Sequence, residues 1–176
     1  LNVKGSEGFQ VPIGFEIIEF ATQPLVNDLY TLHIDRLGRI LVATKGSIKQ
    51  LLDSEGDGKA DRAREIVKDL KQGPMGLLWE DDILWAVTDG GVRRFDLGKS
   101  TGALTSVDSE LVFSVRTGGE HDAHAIKRGF DGKLYLLCGN TGVFRHEQIA
   151  SRDIKSAPIA GVFLQLDYPN SAQCKI

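Results

Sequence analysis

A strand–turn–strand unit recurs along this chain, and it constrains the fold more than any other feature. Leu37-Gly38-Arg39-Ile40-Leu41-Val42-Ala43-Thr44 reads as a turn entering an apolar strand. Ser47-Ile48-Lys49-Gln50-Leu51-Leu52 follows Gly46 as its hairpin partner. The unit returns at Asp82-Ile83-Leu84-Trp85-Ala86-Val87 with Gly90-Gly91-Val92-Arg93-Arg94-Phe95. It returns again at Asp131-Gly132-Lys133-Leu134-Tyr135-Leu136-Leu137 with Gly142-Val143-Phe144-Arg145, and a fourth copy begins at Ala160-Gly161-Val162-Phe163-Leu164-Gln165-Leu166-Asp167. Copies lie ~40–50 residues apart, the period of propeller blades. Each blade is a four-stranded antiparallel sheet about a central channel. A β-sandwich also gives short strands and frequent turns, but the long period favours the propeller.

The expectation is therefore an all-β chain, residues 1–176 forming one β-propeller domain or a fragment of one. The material suffices for three to four blades, whereas propellers have roughly 4–8. The chain reads as the N-terminal part of a larger propeller, with a compact four-bladed ring as the alternative. Phe15-Glu16-Ile17-Ile18-Glu19-Phe20 reads as a further strand. Ala63, Ile66, Val67 and Leu70 fall at helical spacing, which predicts a short helix over Ala60–Leu70. Twenty glycines among 176 residues fit a fold of many tight turns.

Charge and composition exclude some roles. The net charge is -3, and no basic patch of the kind that marks nucleic-acid binding is visible. No apolar run reaches the ~18 residues of a membrane span. The chain starts at Leu1 without a visible signal peptide, which implies a removed leader or a piece of a longer protein. Cys138 and Cys174 form no CxxC or CxxCH motif, so neither a zinc knuckle nor haem attachment is supported. Cys138 lies in the apolar run Leu134–Cys138 and reads as a small core residue.

Chemistry concentrates in Gly118-Gly119-Glu120-His121-Asp122-Ala123-His124-Ala125-Ile126. Two histidines and two carboxylates lie within five residues, before a strand. Histidine moves protons near neutral pH, and catalytic groups often sit on loops held by a rigid sheet. His121 is the candidate base, with Glu120 or Asp122 to orient its imidazole. A hydrogen-bonded, non-catalytic His at a blade edge is the competing reading. His121 and His124 with either carboxylate form only a weak metal constellation, since His-x-x-His on a loop fixes no geometry. Arg116-Thr117-Gly118-Gly119 brings Arg116 and backbone N–H groups beside His121, which suits an anionic or polyhydroxylated ligand. His33, in an alternating run with Leu32 and Ile34, reads as packing or surface, and His146 as solvated. Asp89-Gly90-Gly91 reads as a hairpin turn rather than a phosphate cradle, because no helix follows it. Trp79 and Trp85 read as core, with sugar stacking if one faces the channel.

A second candidate is the acidic insert over residues 53–65, Asp53-Ser54-Glu55-Gly56-Asp57-Gly58-Lys59-Ala60-Asp61 and the residues after it. Carboxylates at Asp53, Glu55, Asp57 and Asp61, the Lys59 carbonyl and Gly58 at the sharp turn suit a structural calcium loop. The pattern departs from an EF-hand at its third position, Glu55, and at its twelfth, Arg64, with Glu65 one residue late. An acidic hairpin with Asp-Gly turns is the alternative.

Val11-Pro12-Ile13-Gly14-Phe15-Glu16, Asp35-Arg36-Leu37-Gly38-Arg39, Asp53 to Asp61, Gly73-Pro74-Met75-Gly76-Leu77 and the Gly118–Ile126 cluster resemble the N-terminal β-propeller of membrane-bound dehydrogenases from planctomycete and verrucomicrobial bacteria. That family is related to the quinoprotein glucose and sorbosone dehydrogenases. The resemblance implies a propeller exported to the periplasm or cell surface, oxidation of a sugar or alcohol with pyrroloquinoline quinone, and a haem-binding domain further along the parent protein. His121 matches the family's general base, which takes the hydroxyl proton as hydride passes to the quinone. Asp122 and His124 stand beside it, and Arg116 is the nearby candidate for cofactor contact. Ala125 replaces the family's Arg four residues after the base, and the sugar dehydrogenases lack His124. The family's quinone-binding Arg, Lys and Asn residues lie further along than these 176 residues extend. The expectation is thus a dehydrogenase propeller with a calcium loop; the alternative is a calcium-stabilised, non-catalytic propeller that binds a glycan or protein partner.

Overall fold

A computed structural model describes residues 9–141 and 161–166. The chain is all-β, with three antiparallel sheets. The first orders β1 (Thr31–Ile34), β2 (Ile40–Thr44), β3 (Ser47–Leu52) and β4 (Arg62–Val67) side by side. The second orders β5 (Gly76–Glu80), β6 (Ile83–Thr88), β7 (Gly91–Asp96) and β8 (Ser109–Ser114). The third holds β9 (Ala123–Arg128), β10 (Leu134–Cys138) and β11 (Val162–Leu166), with β10 central. Two single 3-10 turns, Leu97–Lys99 and Ser106–Asp108, interrupt the long β7–β8 connection. No closed sheet is present among the described residues.

Turn chemistry explains the hairpins. Asp89 and Gly90 both adopt positive φ, 43° and 87°, as a two-residue connection matching the strand twist requires. Asp89-Gly90 is thus a hairpin turn, as its sequence indicates. The β1–β2 and β9–β10 turns are built alike. Gly38 and Gly132 sit at φ 76° and 79°, and Asp35 and Asp131 accept the backbone N–H two residues on, from Leu37 and Lys133.

The sheets pack face to face. Leu41, Ala43, Ile48 and Val67 of the first meet Leu77, Trp79, Leu84 and Phe95 of the second. The opposite face of the second sheet, with Leu78, Trp85, Val87 and Val92, meets Ile126, Leu134 and Leu136 of the third. Every residue of β6 is buried, which accounts for its unbroken apolar run. The first strands of the three sheets lie adjacent, β1 against β5 and β5 against β9. The 68–75 and 115–122 connections join one sheet to the next at one end of these strands. The tight turns after β1, β5 and β9 gather at the other end.

Three sequence expectations need correction. Residues 60–70 form strand β4 and its exit rather than a helix. Ile48 pairs with Val67 and Lys49 with Glu65, so Ile66 is the extra residue of a β-bulge. Ala63 packs on one face of the sheet while Ile66, Val67 and Leu70 pack on the other; the bulge shifts the alternation and imitates helical spacing. Residues 15–20 are not a strand. Phe15 and Ile18 are exposed, and Phe20 packs on the first sheet beside Val26 and Val42. The Phe20 carbonyl accepts from the Ala60 N–H at 2.7 Å, which anchors the segment without a ladder. Finally, Val162–Leu166 does not open a fourth unit: it joins the third sheet beside β10, Leu136 opposite Leu164. The hairpin partner expected at 142–145, His146 and Cys174 lie outside the described residues.

Candidate functional site

His121 stands exposed on the connection that enters β9, at the crossover end. Its backbone is fixed: the Thr141 N–H donates to the His121 carbonyl at 3.0 Å, and a Cβ on Gly139 would overlap that carbonyl. Asp122 is buried, its side chain 2 % exposed. Its Oδ2 accepts from the Gly119 N–H at 2.8 Å, and its Oδ1 accepts from the Thr141 hydroxyl at 2.8 Å. Arg116 Nε lies 3.2 Å from Oδ1. The carboxylate therefore closes its own loop. Among the described residues, the His121 imidazole has no hydrogen-bond partner, and Glu120 is exposed beside it.

His124 sits on β9 as the extra residue of a second β-bulge, since Leu137 pairs with Ala125 and Cys138 with Ala123. Bulges re-aim a side chain within a ladder and are common beside active sites. The bulge presses the His124 carbonyl toward β5, where a Cβ on Gly76 would overlap it. His121 and His124 are thus neighbours in sequence on different supports, one on a loop and one in a strand. Cys138 closes the same region from within; it is buried, and burial pushes its thiol up to about 11, in keeping with a core role.

A hydrogen-bonded seam runs beside this loop. Thr117 donates its hydroxyl to Gln72 Oε1 and accepts from the Gly90 N–H at 2.8 Å. Asp89 accepts from the Gln72 N–H at 2.9 Å, the Lys71 N–H at 3.2 Å and the Ser106 hydroxyl. Burial raises the Asp89 pKa, but these donors and Arg93 bring it below the ordinary carboxylate value. The seam joins the two sheet-to-sheet connections and so supports the His121 loop, and Lys71, Gln72, Asp89 and Ser106 of the seam also line a cavity of about 730 Å³.

The acidic insert lies at the opposite end, between β3 and β4. Asp53 Oδ1 accepts from the Gly56 N–H at 2.7 Å and the Asp57 N–H at 3.2 Å, and Oδ2 from the Gly58 N–H at 2.9 Å. Asp57 accepts from the Lys59 N–H at 2.9 Å. Asp61 accepts from the Ser54 N–H at 2.6 Å and from its hydroxyl, donors that lower its pKa. Glu55 is exposed, and Glu65 lies in β4 opposite Lys49. The carboxylates face their own backbone rather than a common centre. Among the described residues, no group of three or more His, Cys, Asp or Glu is placed to hold a metal ion. Arg116 is largely exposed and its Nε is paired with Asp122.

Of the two sequence readings of His33, packing or surface, the structure bears out packing, and it adds a cavity that the sequence did not show. His33 is only 8 % exposed, while its neighbours Leu32 and Ile34 are 60 % and 56 % exposed. The alternation is inverted, polar side in. His33 lines a cavity of about 440 Å³ at the turn end, with Trp79, Trp85, Glu80 and Arg128. The signal was present in Leu32-His33-Ile34, but alternation alone does not say which side faces the core.

No protein-family model matches this chain, and no match was found among the curated proteins.

Proposed function

We propose that the three sheets are successive blades of a β-propeller, with β1, β5 and β9 as the inner strands, and that the chain is a binding scaffold for a sugar or alcohol at the crossover end. The stacking of consecutive sheets and the adjacency of their first strands support the propeller. The observation that carries the binding reading is the engagement of Asp122 by Gly119, Thr141 and Arg116. It holds the loop in place and leaves the exposed His121 imidazole to meet a ligand hydroxyl.

A second reading follows from the held backbone of His121: a dehydrogenase propeller in which His121 takes the proton of the substrate hydroxyl. Pyrroloquinoline quinone would accept the hydride in the parent protein, and the remaining quinone contacts would come from outside these residues. Titration of the purified chain with glucose, with and without pyrroloquinoline quinone, separates the two. Binding that weakens in His121→Ala and ignores the quinone supports the scaffold. Sugar oxidation that needs the quinone and is abolished in His121→Ala supports the enzyme. Glucose binding unchanged in His121→Ala, with no turnover, sinks both.

A further inference from the structure

We propose that the cavity at the turn end is a second binding site, for a neutral small molecule with an apolar face and one hydroxyl or N–H donor, and that His33 Nε2 receives that donor.

The charges around the cavity select a neutral ligand. Arg128 spends Nε and Nη2 on Glu80 and Nη1 on the Gly132 carbonyl. Arg36 pairs with Asp81. Asp35 receives the Arg39 side chain at 2.5 Å and the backbone N–H groups of Leu37 and Arg39. Each charge thus has its counter-charge inside the protein, and an ionic ligand would find none left over. Leu78, Ile83 and the two indoles supply apolar wall. The volume, about 440 Å³, lies in the ~300–1,000 Å³ range of small-molecule sites.

The unfilled valence is on His33. Its Nε2 is buried and has no hydrogen-bond partner, a costly state for a polar atom. A neutral imidazole offers one donor and one acceptor nitrogen; the Trp79 backbone favours a proton on the ring, and we assign that proton to Nδ1, which leaves Nε2 the acceptor. The site therefore asks for a donor. It sits at the opposite end of the sheets from His121, so its failure and that of the crossover-end site are distinguishable.

The test uses the chain's own reporters, because Trp79 and Trp85 are its only tryptophans and both line the cavity. Cyclohexanol, cyclohexanone and cyclohexanecarboxylate share one ring but differ in donor and charge. Titration at neutral pH, followed by tryptophan fluorescence, should give a saturable response to cyclohexanol. Binding of the ketone should be about tenfold weaker, the effect of one lost hydrogen bond to a buried group, and the carboxylate should be weaker still. His33→Gln, which keeps an acceptor, should retain the alcohol–ketone difference, and His33→Phe should erase it. Absence of a saturable response to cyclohexanol would leave water as the occupant and overturn the proposal. So would equal binding of alcohol and ketone, tighter binding of the carboxylate, or a preference that survives in His33→Phe. Should His33→Phe fail to fold, the wild-type alcohol–ketone comparison decides alone.

Discussion

Arg128 donates Nε to both oxygens of Glu80 at 3.1 Å and Nη2 to Oε2 at 2.7 Å, tying the first strand of the second sheet to that of the third. The pair is only partly exposed, 15 % for Arg128 and 31 % for Glu80. A bidentate geometry of this kind is stronger than a surface ion pair. Arg128→Met strands the carboxylate and should cost ~1–2 kcal/mol, below the ~3–5 kcal/mol of a fully buried pair because solvent reaches Glu80. Urea denaturation of the variant checks this; a loss under about 0.5 kcal/mol would rank the pair with ordinary surface contacts.

Asp122 and His121 should separate cleanly despite being adjacent. Asp122→Asn turns an amide nitrogen toward donors and should destabilise the chain by ~1–3 kcal/mol. His121→Ala alters an exposed side chain and should stay within ~0.5 kcal/mol of wild type. Thermal denaturation of both variants decides. Equal losses would mean that the imidazole, not the carboxylate, organises the loop.

Gly76 is demanded by the bulge at His124. Gly76→Ala puts a methyl group against the His124 carbonyl, and β5 and β9 must part. Overpacking of this kind costs ~1–3 kcal/mol. Hydrogen exchange of the β9 amides in the variant should accelerate; unchanged protection would show that the strands relax without loss.

Much of this architecture was legible beforehand, and the failures have identifiable causes. The hairpins β2–β3 and β6–β7 follow from apolar strands flanking Gly turns, because a two-residue turn with positive φ leaves little choice. Residues 60–70 misled because the bulge at Ile66 breaks the period of two. The acidic residues of the 53–61 loop were plain in sequence, but whether a carboxylate faces a cation or its own backbone is a matter of three-dimensional closure. Asp122 looked like a partner for His121 and is instead held by Gly119 and Thr141, contacts that depend on a loop 19 residues away returning to it. His33 read as packing or surface, and it is buried; the cavity it lines was not legible, because its other walls come from strands distant in sequence.

The Asp53 loop gives a fourth prediction. Its carboxylate accepts from three backbone N–H groups, so Asp53→Ala should cost ~1–2 kcal/mol. With the carboxylates so engaged, calcium should leave the denaturation midpoint of the wild type unchanged. A midpoint that rises with calcium would show that the loop reopens to admit the ion.

His33 gives the chain a pH dependence with a definite sign. Burial lowers its pKa below 6.5, and Lys127 lowers it further; the Trp79 backbone, Asp35 and Glu80 act in the opposite direction without reversing the shift. The unfolded chain then binds the proton more readily than the folded one. The contribution of His33 is complete above about pH 6.5 and is lost as the pH falls from there toward the folded pKa. His33→Gln should flatten that part of the stability profile; an unaltered slope would assign it to other groups.

Two of the hydrophobic cores among the described residues are shared by sheets that follow one another in sequence, the first with the second and the second with the third. Cooperativity is then a matter of nearest neighbours, as in stacked repeats. Leu84→Ala, in the interface between the first two sheets, should loosen the first sheet while the second and third remain docked. A single sigmoid for all three sheets is not the expected unfolding behaviour of such a chain. The middle sheet, bound on both faces, should be the last to melt.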